Sequence, residues 1–118
     1  MKKLEGLRVL VAEDDILIAM HCESLLEDAG AVTRLVTNCE ELSGIPPQDF
    51  DVALLDKTLT DGETTSLAAS FIEGGCAVLF YSGGDGGALR AKVPRATILE
   101  KPASDDTIIL AVARAKAG

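Results

Sequence analysis

Short apolar runs alternate along the whole chain with stretches whose apolar residues recur at helical spacing. Runs near 7–12, 31–36, 51–55, 76–81 and 96–99 mostly lack polar alternation, which predicts strands covered on both faces. Between the first two, residues 15–29 set Ile16, Leu17, Met20, Leu25 and Leu26 at a helical period, and Gly30 offers the positive φ that stops a helix. Asn38 with Glu41 reads as a capping box for a brief second helix that ends at Gly44, before Pro46-Pro47. A third helix is predicted over 64–73, closed by Gly74-Gly75. The fourth connection contains Gly83, Gly84, Gly86 and Gly87 and ends at Pro94, so about two turns fit, near 85–92, and glycine weakens them. A last helix starts from Ser104 as N-cap, with Asp105 and Asp106 in its first turn. It carries Ile108, Ile109, Ala111 and Val112 toward the sheet, and Arg114 and Lys116 suit its C-terminal dipole.

Strand–helix alternation at 118 residues predicts a single α/β domain over 1–118. The expected architecture is a flavodoxin-like, doubly wound, five-stranded parallel sheet of order 2-1-3-4-5 with a short or irregular fourth helix. Ligands of such sheets bind outside the carboxyl ends of the strands.

Four polar signals stand at those ends. Glu13-Asp14-Asp15 follow Val9–Ala12, Asp56 follows Val52–Leu55, Ser82 follows Ala77–Tyr81, and Lys101-Pro102 follow Thr97–Glu100. If the strands are parallel neighbours, acids, a hydroxyl and an amine converge on one edge. Each has a plainer reading: the acidic trio complements a helix dipole, Asp56 is a turn residue, Ser82 a loop hydroxyl and Lys101 a solvated lysine. The paired glycines after Ser82 look like a phosphate cradle, but they match neither a P-loop nor GxGxxG, so a mobile turn is the expectation.

A net charge of −8 argues against nucleic acid or an anionic membrane as a direct partner. Cys22, Cys39 and Cys76 are far apart, odd in number and lack metal-ligand spacing, so they read as small hydrophobes in a reducing compartment. Lys2-Lys3 precede no long apolar stretch, and the expected location is the cytoplasm. His21 stands alone within the first helix and reads as structural.

Together the segments Val9–Asp15, Leu54-Leu55-Asp56 with Asp61-Gly62, Tyr81-Ser82-Gly83 and Lys101-Pro102 resemble the receiver domains of bacterial two-component response regulators, over essentially the whole chain. The resemblance implies that Asp56 accepts a phosphoryl group from a sensor histidine kinase or histidine phosphotransfer protein. It implies a Mg²⁺ site at Glu13, Asp14 and Asp56, with the backbone carbonyl of Thr58 as a further ligand. Ser82 and Lys101 then contact the phosphoryl oxygens, and the Lys101-Pro102 peptide is cis. Such a domain is a phosphoprotein that assists its own phosphorylation and dephosphorylation, not an enzyme with a separate substrate. It signals to a downstream protein in the phosphorelay. The chemistry is consistent: two carboxylates about 6 Å apart repel by roughly 3 kcal/mol at an effective dielectric near 20, a conflict that a divalent cation relieves.

The chain also departs from that family. Ile98 stands where an aromatic switch residue is usual, and Thr60 where proline is common. Tyr81 is a candidate replacement for the aromatic, although alternation sets it opposite Ser82 on its strand. Phe80–Gly84 and the cramped fourth helix resemble an atypical alphaproteobacterial single-domain subgroup. With no output module after Lys116-Ala117-Gly118, a stand-alone receiver or a part of a longer hybrid protein is expected. A phosphorylation-independent pseudo-receiver that binds a protein remains the alternative. An aspartyl-phosphate phosphatase fits less well, because its Asp-x-Asp is absent after the first strand.

Overall fold

The computed structural model describes residues 2–84 and 86–117; Asp85, the expected start of the fourth helix, lies outside the described residues. In chain order the elements are β1 (Arg8–Ala12), α1 (Ile16–Asp28), β2 (Val32–Val36), α2 (Cys39–Ser43), a 3-10 turn at Pro47–Asp49, β3 (Val52–Leu55), β4 (Thr58–Leu59), β5 (Gly62–Glu63), α3 (Thr65–Glu73), β6 (Ala77–Ser82), α4 (Gly86–Lys92), β7 (Thr97–Glu100) and α5 (Asp105–Ala117). The main sheet is parallel, in the order β2-β1-β3-β6-β7, which is the predicted topology. A small antiparallel hairpin, β4 with β5, occupies Thr58–Glu63, where no strand is predicted. No helix among the described residues is long and apolar enough to cross a membrane.

Strand alternation divides the core into two halves. Leu10, Ala12, Ala53, Leu55, Val78 and Phe80 face α2, α3 and α4, where Leu42, Phe71 and Leu89 meet them. Val9, Val11, Val52, Leu54, Leu79 and Tyr81 face α1 and α5, against Cys22, Leu25, Leu26, Ile108 and Val112. Burial on both faces explains why β1, β3 and β6 read as continuous apolar runs. The edge strands β2 and β7 are partly exposed.

Helix α1 corrects the sequence reading. Its buried residues are Ala19, Cys22, Leu25 and Leu26, whereas Ile16, Leu17 and Met20 are 53%, 78% and 57% exposed. At about 100° per residue these are two separate stripes, and the sequence pattern had merged them. Asp15 caps the helix by accepting from the N–H groups of Leu17 and Ile18. At the far end Gly30 takes φ +103°, and an added Cβ would stand 2.9 Å from the Glu5 Cα, so both conformation and space call for glycine.

The cap of α2 is also more extended than a simple box. Asn38 accepts from the Glu41 N–H as predicted, but the Glu41 carboxylate accepts from the Thr37 N–H, and Asp61 accepts from those of Cys39 and Glu40. The hairpin is therefore pinned to the start of α2. Ser104 caps α5 through the Thr107 N–H.

Candidate functional site

The ladders of the sheet continue one residue past the strands and carry the polar groups into place. The Glu13 N–H donates to the Val36 carbonyl, the Asp56 N–H to that of Ala12 and the Lys101 N–H to that of Ser82. Alternation sends the Glu13, Asp56 and Lys101 side chains to the α1/α5 side. There the Lys101 ammonium lies 2.7 Å from Glu13 Oε1 and 3.2 Å from Asp56 Oδ2. Glu13, Asp14 and Asp56 each offer a carboxylate oxygen, all within 4.8 Å of one another, and no second group of this kind occurs among the described residues.

These acids differ in setting. Glu13 is buried, Asp56 half-buried and Asp14 exposed. Burial pushes the Glu13 carboxyl above its usual range, against the opposing pull of Lys101 and the Asp15 N–H. For Lys101, burial alone would lower the pKa, but the Glu13 hydrogen bond and the Asp56 charge raise it above the ordinary lysine value. Lys101 is therefore a firmly charged ammonium between two of the three carboxylates. At 4.8 Å and an effective dielectric near 20, each carboxylate pair repels by roughly 3 kcal/mol, and the single charge of Lys101 does not balance all three.

Ser82 reaches the same edge but faces the other side of the sheet, as alternation requires. It is buried and borders a cavity of about 140 Å³ with Gly86, Leu89, Arg90, Ile98 and Glu100. Thr58 opens β4, two residues past Asp56. The Lys101-Pro102 peptide is cis, as expected. Tyr81 does not take the place of the missing aromatic, because its ring is on the α1/α5 side and Ile98 packs on the α4 side. A wider groove of about 490 Å³ opens at the amino ends of β6 and β7, lined by Arg95, Thr97 and Arg114 among others, but it contains none of these acids.

Thr64 is the site residue that sequence reasoning missed. It is fully buried, and its hydroxyl lies 2.7 Å from the Asp56 carbonyl and 3.1 Å from that of Lys57. The Thr64 N–H also donates to Lys57. This residue ties the turn carrying Asp56 to the start of α3. The sequence reading places it only as the first residue of the third helix, and no local signal marks the contact.

The remaining polar candidates are structural. His21 Nε2 is 2.8 Å from Asp105 Oδ1, linking α1 to α5 at the surface. Cys22 and Cys76 are free and buried, with thiols pushed by burial up to about 11.

No protein-family model and no curated protein matches the chain. Solved structures do. A response regulator receiver protein from Sinorhizobium medicae superposes with a TM-score of 0.85 at 24% identity, covering 98% of both chains. The fold is that of a response regulator receiver domain. The receiver domain of Leptospira biflexa HemR gives 0.81 at 21% identity over 96% of each chain. That of the putative response regulator NarL from Mycobacterium tuberculosis gives 0.81 at 24%, covering 97% of this chain and 98% of the other. In this receiver fold the acids and the lysine occupy the edge where the sheet topology puts ligands.

Proposed function

We propose that the chain is a phosphoacceptor of two-component signalling, with Asp56 as the residue that carries phosphate. The observation that supports this most directly is the Asp56 carboxylate held 3.2 Å from the Lys101 ammonium, within a group of three acids. An Asp56 oxygen attacks phosphorus in a phosphohistidine of the donor, the P–N bond breaks, and the imidazole leaves with the electron pair and takes a proton from solvent. Lys101 then pairs with the phosphoryl oxygens, and Ser82 can turn toward them from the opposite side of the strand end. Glu13 is anchored for this task by Lys101 and by the Asp15 N–H.

Three carboxylate oxygens within 4.8 Å are a donor set that suits a hard divalent cation. Glu13, Asp14 and Asp56, with the Thr58 carbonyl, would hold Mg²⁺, which when bound offsets the charge of the incoming phosphoryl group.

The donor is a sensor histidine kinase or histidine phosphotransfer protein in the cytoplasm. The exposed stripe Ile16, Leu17 and Met20, directly after the acids, offers an apolar seat for the histidine-bearing helix. The cavity beside Ser82 leaves room for the glycine-rich segment to shift after transfer, passing the signal to a protein target. The protein is thus the acceptor of the group and not an enzyme with a separate substrate. The test is intact mass after incubation with a small phosphodonor and Mg²⁺. One added phosphate on the wild type and none on Asp56→Asn is expected; no gain on the wild type, or an equal gain on the variant, overturns the reading.

A further inference from the structure

We infer that Tyr81 is a positioning residue for Lys101, its ring supporting the ammonium while its hydroxyl holds the turn behind it. The inference rests on the phosphoacceptor reading and assigns to it a residue with no part in the chemistry described above. Alternation along β6 sends Tyr81 to the α1/α5 side, the side of Lys101, Glu13 and Asp56. The Lys101 Nζ lies 5.3 Å from the centroid of the Tyr81 ring, within the range of a cation–π contact. The Tyr81 hydroxyl accepts the Ala103 N–H at 3.2 Å, while the Lys101 N–H donates to the Ser82 carbonyl at 3.0 Å. The backbone is thus held on both sides of Lys101, and the ring supports the far end of its side chain.

A lysine side chain has a flexible four-carbon stem and reaches many positions in water. Here the ammonium must stay near Glu13 and Asp56, and the buried face of an aromatic ring confines it without a competing charge. Tyr81 also closes the floor of the site. With Glu13, Cys22, Leu54 and Asp56 among others it lines a partly open recess of about 10 Å³, with hardly room for one water. Excluding water from beneath the Lys101–Glu13 and Lys101–Asp56 contacts strengthens both.

Two substitutions separate the ring from the hydroxyl. Tyr81→Phe keeps the ring, so phosphate uptake from a small donor should stay within about twofold of wild type. Tyr81→Leu removes it and should slow uptake roughly five- to tenfold at saturating Mg²⁺. A merely structural role predicts the same fractional loss in any background, whereas a role exerted through Lys101 predicts that Tyr81→Leu costs nothing further in Lys101→Gln. A second measurement needs no lysine variant. The Lys101 ε-methylene protons should show an upfield ring-current shift in wild type and in Tyr81→Phe, and resonate at ordinary lysine positions in Tyr81→Leu. Wild-type rates in Tyr81→Leu, an undiminished loss in the Lys101→Gln background, or an unshifted ε-methylene in wild type would each overturn the assignment. If the wild type takes up no phosphate, the phosphoacceptor reading falls and the functional role of Tyr81 with it, while the ring-current result still reports on the contact itself.

Discussion

The two ends of the sheet handle charge in opposite ways. At the amino end of β3, the single carboxylate of Asp51 accepts the Arg8 N–H at 2.9 Å, faces the Arg8 guanidinium at 3.3 Å and meets the Lys116 ammonium at 3.1 Å. At the carboxyl end, three carboxylates gather within 4.8 Å, and the Lys101 ammonium reaches two of them, Glu13 and Asp56. The lower cluster is satisfied internally and ties β1, β3 and α5 together. The upper one keeps a negative surplus that further partners must balance. Charge clusters of similar residue types thus differ in purpose according to whether their valence is closed by the protein itself. A closed cluster contributes stability; an open one costs stability and retains capacity for a ligand.

That contrast can be broken most decisively at Asp56. Asp56→Asn should abolish phosphate uptake measured by mass, while Asp51→Asn should leave uptake unchanged. Lys101→Gln comes next: it removes the cation beside Asp56, and the uptake rate should fall by about 100-fold. Lys116→Gln, at the other end, should not alter that rate.

Thr64→Val is expected to do damage of both kinds. Losing the hydroxyl leaves the Asp56 carbonyl without that donor, costing about 1–2 kcal/mol in denaturant unfolding and slowing uptake as the turn loosens. The smallest effect belongs to Asp51→Asn, about 1 kcal/mol in stability. Its pH dependence is specific. Burial pushes the Asp51 carboxyl up, but the Arg8 N–H, the Arg8 guanidinium and Lys116 prevail and bring it to about 2. A depressed carboxyl contributes fully above its unfolded value near 4 and loses that contribution as pH falls through about 2. The stability gap between wild type and Asp51→Asn, read by denaturant titration, should therefore be present at pH 6 and shrink steadily on acidification below about pH 4.

Several elements were legible because their causes are local. The glycine stop at Gly30, the cap at Ser104 and the apolar runs of β1, β3 and β6 follow from backbone sterics, hydrogen-bond chemistry and two-sided burial. The order of acid, acid, hydroxyl and amine at successive strand ends marked the edge where Glu13, Asp14, Asp56 and Lys101 meet. The buried face of α1 was not legible, because two apolar stripes share one helix and only the packed partner selects between them. Nor was the hairpin at Thr58–Glu63, whose strands are two residues each, too short for a periodic signal. The grip of Thr64 on Asp56 and of Asp61 on the α2 terminus joins side chains to backbone across 8 and up to 22 residues, which spacing alone does not encode.

What the sequence determined by itself was the alternation of elements, and through strand parity which residues of one strand point to the same side. Parity is a covalent property of an extended chain, and it separates Tyr81 from Ser82; the register of the ladders, with Ala12 beside Leu55, Leu55 beside Phe80 and Phe80 beside Ile98, then puts Glu13, Asp56, Tyr81 and Lys101 on one side. What the tertiary structure alone decided was distance: which acids the Lys101 ammonium reaches, that it rests over the ring of Tyr81, and that Ile16, Leu17 and Met20 remain in solvent. Those outcomes depend on how strands and helices separated in sequence settle against one another, because charge pairing and burial are set by proximity in space and not by order along the chain.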